Sequence, residues 1–328
     1  MTEALAWREV AVKFVKLPPP RVLHPGFLTD VHIAADGRAC CLRRAPGFAE
    51  VLAWPDGIGP EAPACWTPTP MADVLGVAGI VGDAVVLYAR NELIEVSSRR
   101  TSVIHRAKGR VTEAMVSPRA TRLAWTETAA EGWLLSVGTL QDEGILSDVM
   151  TIGSTVGGAA WVDESTVAWS EVALDKNSLS LRVTTIGHDT RELGRTSRMV
   201  SGLRAAGDGS TLAIAAPGGF LRRDRGKPRG LEPGLWVTSA PFDGFECVLN
   251  WSAGPRHLHV SRSIVLAAPS VPAQDVLAAV TAAGATAAKI EGPAQGLAVS
   301  PDGKRVLYRT FGPAAALMEQ NIEALRGE

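Results

Sequence analysis

The segment Gly296-Leu-Ala-Val-Ser-Pro-Asp-Gly-Lys-Arg-Val-Leu-Tyr308 reads as strand, tight turn, strand, and its pattern recurs along the whole chain. Asp-Gly supplies the turn, because glycine accepts the positive φ that a two-residue hairpin demands. Weaker copies run Asp30–Cys41, Gly76–Leu87, Glu113–Trp125, Gly157–Trp169, Gly202–Ile214 and His257–Leu266. Seven copies in 328 residues give a period of about 47, the length of one four-stranded propeller blade. A repeated unit of this kind cannot bury its own apolar faces alone. Radial stacking buries them and leaves only short sheet edges.

Most copies are followed by two more strand-like runs, such as Glu92–Val96 and Ser102–His105, which complete a blade. The expected fold is therefore all-β: a seven-bladed β-propeller forming a single domain over 1–328. Its blades are expected to start near 29, 75, 112, 156, 201, 256 and 295. The seventh copy lacks such runs, and Phe311 onward reads as a short helix or tail. The segment Trp7–Val15 is the expected outer strand that closes the ring, with Pro18-Pro19-Pro20 as a stiff connector to the first blade.

Val299-Ser-Pro-Asp-Gly-Lys-Arg-Val-Leu-Tyr308 resembles the repeat of the TolB-like propeller family, a PD40/WD40-like motif, and Val116-Ser-Pro-Arg119 and Gly207-Asp-Gly209 are eroded versions. The resemblance implies a β-propeller. It implies little about function, since that family includes scaffolds, peptidase gate domains and lyases.

Composition narrows the setting. A formal charge of -1 gives no basic field for nucleic acid or an acidic membrane. Four cysteines, two of them adjacent at Cys40 and Cys41, make no disulfide framework. No basic segment followed by an apolar stretch opens the chain, and its longest weakly polar run, Leu277–Ala288, is too short to span a bilayer. A cytoplasmic protein is expected.

The first strand of each blade lines the channel of a propeller, and alignment of the copies separates its two faces. Val31, Val77, Ala114, Leu203 and Leu258 head a column that is wholly apolar or glycine. The opposite face collects every ionisable residue of these strands: Asp30, His32, Glu113, Arg204, His257 and His259. Asp30-x-His32 and His257-x-His259 each put two donors one pleat apart, which suits a divalent metal held by His32, His257 and His259. In that reading Glu113 and Asp30 are the catalytic carboxylates and Arg204 grips a substrate anion. In blade 5 the loop 217–234 is long and basic. Arg222, Arg223 and Arg225, with Arg256 on the next blade, are the expected ligand-binding side chains; Arg43, Arg44 and Arg90 fall in equivalent loops.

Two functions follow. One is an enzyme of lyase, isomerase or cyclase type acting on a small carboxylated or carbonyl substrate, assisted by one divalent metal. The other is a non-catalytic scaffold that binds a peptide or protein on its top face. Fold does not choose between them.

Overall fold

In the computed structural model, described residues are 12–59, 61–67, 71–130, 132–141, 145–173, 178–196, 202–216, 220–221, 223–224, 227–228, 234–250, 255–269, 275–281, 284–292, 294–311 and 314–326. They form seven antiparallel sheets built on four strands each and one short 3-10 helix, Glu323–Arg326, the architecture of a seven-bladed β-propeller. No helix among them is long and apolar enough to cross a membrane.

The chain divides into two compact units. One holds blades 4, 5 and 6, whose first strands are Val156–Trp161, Gly202–Ala205 and Pro255–Val260. The other holds blades 1, 2, 3 and 7, whose first strands are Leu28–Ile33, Val74–Val81, Arg110–Val116 and Gln295–Val299.

A blade with a neighbour on each side within its unit has a second strand that is apolar on both faces. Cys40 and Cys41 make the point. Cys40 lies in a core with Val77, Val85 and Leu87 of blade 2, whereas Cys41 lies in one with Ala298, Leu307 and Leu317 of blade 7. Both thiols are fully buried, and burial pushes Cys41 up to about 12, so neither is a nucleophile. Trp125 fills the corresponding position between blades 2 and 3, against Val86 and Ile104. Trp133, by contrast, is exposed on the third strand of blade 3, outside the packing expected of a third-strand tryptophan.

Two local expectations are corrected. The strand that completes the seventh blade is Arg21–Pro25, antiparallel to Ala316–Asn321, and not Trp7–Val15. Of that earlier segment, Lys13–Phe14 instead runs parallel to the outer strand Gly284–Lys289 of blade 6, and residues 7–11 lie outside the described residues. Arg21 is held by Glu319 directly across the ladder, Nη2 to Oε2 2.7 Å; Pro25 ends the strand, and Gly26 N just beyond it donates to the Ala315 carbonyl at 2.8 Å. The ring is thus still closed by an N-terminal outer strand, one tripeptide of proline further along. The second correction is Ala316–Asn321 itself, a strand where a helix or tail was expected. Leu317, Met318 and Gln320 are all buried, and tertiary burial decides a run whose periodicity is ambiguous.

Close approach of backbones fixes several glycines. A Cβ on Gly109 would lie 1.6 Å from the Thr128 carbonyl oxygen, and one on Gly79 would lie 2.9 Å from Cβ of Val116 in the adjacent blade. Gly109→Ala is expected to destabilise the protein by about 3 kcal/mol, the cost of a forced backbone displacement. Gly59→Ala, where nothing lies within 4 Å, should stay within about 0.5 kcal/mol of the parent. Urea unfolding midpoints of the two variants measure the difference.

Candidate functional site

Inner strands here are not regular. Register shifts interrupt them at Thr29/His32, Val77/Gly79, Val111/Glu113, Val156/Gly158 and Pro255/His257. Each is a bulge, which re-aims the residue it contains. Asp30 sits in the first of them with φ 53, a left-handed conformation that aspartate tolerates better than most residues. Alternation by sequence parity therefore fails at the head of these strands, where the candidate residues lie.

Asp30 is part of an arginine cluster. Arg44, at the end of the second strand of blade 1, approaches Asp30 Oδ2 at 3.3 Å through Nη2. The same guanidinium donates to Thr29 Oγ1 at 2.8 Å, to the Val74 carbonyl at 2.8 Å and to the Leu75 carbonyl at 2.5 Å. Arg309 repeats the geometry one blade earlier. It ends the second strand of blade 7 and donates to the Leu28 carbonyl at 3.3 Å, with its guanidinium over the rings of Phe27 and Phe311. Burial lowers its pKa, Asp30 opposes that and Arg44 adds to it. Both arginines staple the start of the next blade's first strand. Arg44, read from the sequence as part of an anion-attracting field, spends four of its donors on protein acceptors, and Arg43 is paired with Glu50, Nη2 to Oε2 2.5 Å.

His32 lines an open depression at the far ends of the first strands of blades 1, 2 and 3. Glu113 is half-buried, opposite Thr126 just past the bulge in blade 3. His257 is half-buried in the sixth blade.

Arg204 and His259 belong to the other unit, on the neighbouring first strands of blades 5 and 6. Arg204 is exposed, and its hydrogen bond goes to its own neighbour's carbonyl, Nη1 to Leu203 O 2.8 Å. No carboxylate pairs with it among the described residues. His259 lies close enough to feel that charge. Burial first, and Arg204 second, lower its pKa from 6.5 to about 4, so the imidazole is neutral at neutral pH.

Of the remaining candidates, Arg222 and Arg225 lie outside the described residues, as do the side chains of Arg223 and Arg256. Backbone at Arg223–Asp224 pairs with Lys227–Pro228 as a small ribbon. Among the described residues no three of His, Cys, Asp and Glu come together as a metal-ligating group. The staples formed by Arg44 and Arg309 escaped sequence reasoning; their recurrence at the ends of second strands is a signal that alignment of the copies contains.

Between its ordinary value and about 4, the unfolded chain takes up a proton at His259 that the folded chain refuses. Stability is therefore expected to fall as pH drops through that window, and to stop falling for this reason below about 4. The imidazole resonance of His259 should titrate near 4 by NMR. Arg204→Ala should raise that midpoint only part of the way to 6.5, because burial is the larger cause.

No family model and no curated protein matches the chain, so the TolB-like resemblance rests on its motif alone. Solved structures do match its fold. A chain of Kuenenia stuttgartiensis hydrazine synthase superposes with a TM-score of 0.62 at 9% identity, covering 94% of this chain and 97% of that one. A chain from a Saccharomyces cerevisiae complex of a Dbp5 variant with Nup159, a Gle1 variant, IP6 and ADP gives 0.59 at 10% identity, covering 95% and 98%. At such identities the likeness is one of fold: one neighbour belongs to an enzyme and the other to a multiprotein assembly.

Proposed function

We propose that this propeller binds a small carboxylated molecule at the first strands of blades 5 and 6, with Arg204 as the anion anchor. The observation that carries the proposal is Arg204 itself: an exposed guanidinium, without a carboxylate partner among the described residues, beside a neutral imidazole. A guanidinium presents a planar fork that takes a carboxylate through two parallel hydrogen bonds. The neutral imidazole adds one donor and one acceptor without competing for the anion.

The same geometry limits the chemistry. With a pKa near 4, His259 has little basicity at neutral pH and serves as a hydrogen-bonding partner. Turnover of lyase, isomerase or cyclase type at this site is proposed to draw its base from a residue other than His259. A divalent ion would give the ligand a second anchor, and elemental analysis of protein purified without an affinity tag measures that directly.

A second reading, a protein partner, is favoured by a separate observation. Phe27 and Phe48 are 48% and 40% exposed in blade 1, and Arg309 packs against Phe27. Aromatic and arginine side chains are enriched at interface hot spots.

Succinate binding followed by NMR separates the two. Arg204→Ala should weaken it by about tenfold or more, and Arg204→Lys, which keeps the charge and loses the fork, should fall between. Unchanged succinate affinity in Arg204→Ala would falsify the small-molecule reading. Loss of a captured partner in Phe27→Ala, with Arg204→Ala silent, would instead favour the scaffold.

A further inference from the structure

The depression at the far ends of the first strands of blades 1, 2 and 3 has a volume of about 460 Å3 and belongs to the unit that does not contain Arg204. Its size falls within the ordinary range of small-molecule sites. Small residues keep it open: Ala34, Ala35, Gly79 and Ala120 stand where longer side chains would fill the space. Gly79 is small of necessity, since its neighbour Val116 leaves no room for a Cβ.

The lining has two chemistries. Ile80 and Val116 supply an apolar wall, while His32, Arg38 and Arg119 supply an imidazole and two guanidiniums against one carboxylate, Asp36. Arg38 is a fixed part of that wall. Its Nε donates to Asp36 Oδ2 at 2.8 Å and its Nη1 to the Gly82 carbonyl, which ties the turns of blades 1 and 2 together. Arg119 is exposed at the third position of the Ser117–Ala120 turn, whose closing hydrogen bond runs from Ala120 N to Ser117 O at 2.9 Å. The turn therefore presents this guanidinium at the rim on a constrained backbone.

We infer that this depression is a second ligand site, and that it takes a small monocarboxylate with a short aliphatic chain. The chain lies along Ile80 and Val116, and the carboxylate meets the cationic rim at Arg119. Apolar area gives the chain affinity and the cations select the sign of the head group. Arg38 is already met by Asp36 and by Asp83, Nη1 to Oδ1 3.5 Å, so the selection falls to Arg119, which a cationic head on the same chain meets with repulsion.

Hexanoate and hexylamine, matched in chain and opposite in charge, test the inference on the full chain by backbone amide NMR. Hexanoate should shift the amides of Ile80, Gly82, Ser117 and Ala120 saturably within about 50 mM, and hexylamine should not. Arg119→Ala, an exposed turn substitution, should weaken hexanoate by about fivefold or more while Arg119→Lys recovers part of it. Amide dispersion of each variant reports its folding in the same spectrum. Equal shifts from hexylamine, an unchanged affinity in folded Arg119→Ala, or no saturable shift at these amides overturns the inference. Shifts confined to Leu203 and Arg204 also overturn it, and leave the Arg204 site standing.

Discussion

Within each unit successive blades pack face to face, and that requirement governs what each strand is made of. A sheet with one wet face alternates apolar and polar residues; a sheet packed on both sides cannot. Ala39–Leu42, Val85–Leu87, Leu123–Trp125, Leu212–Ala215 and Val306–Tyr308 are accordingly continuous buried apolar runs. Within each unit, cores form between successive blades, so one second strand contributes to two of them, as Cys40 and Cys41 do. Polar groups are left with the strand ends and the inner strand.

Arginine handles the strand ends. A first strand that begins at a blade edge carries carbonyls that its own ladder does not satisfy, and unsatisfied carbonyls near a packed seam are costly. Arg309 meets that of Leu28, and Arg44 meets those of Val74 and Leu75. From blade 2 to blade 3 the link is backbone to backbone and runs the other way, Val111 N of the first strand donating to the Arg90 carbonyl at 2.9 Å. Asp30 stands beside both guanidiniums and offsets part of their charge. A residue that looks from its column like a catalytic carboxylate is, in its contacts, the counter-ion of a seam.

Arg204 contrasts with these arginines in a way that bears on function. Arg44 and Arg309 reach carbonyls of the next blade, and Arg38 does so at the opposite strand ends. Among the described residues Arg204 reaches no further than the carbonyl of Leu203. That exposed charge, next to an imidazole it helps to keep neutral, is what the proposed anion site rests on.

The repeat and most of its strands were legible in the sequence because they depend on short-range rules: turn chemistry, period-two alternation and blade-length spacing. The same rules named the ionisable residues of the inner strands. They did not reveal which of these are engaged, because bulges at Asp30, Glu113 and His257 break the parity on which the columns rest. Nor did they locate the closing strand. Trp7–Val15 reads as the strand, and only pairing with Ala316–Asn321, nearly the whole chain away, selects Arg21–Pro25 in its place. Arg309 and Leu28 are 281 residues apart, a contact that no local pattern encodes. Sequence determined the elements of the repeat, since each is stabilised by its own neighbours. Tertiary structure decided the partners, since hydrogen bonds and ion pairs form with whatever side chain the fold brings within reach.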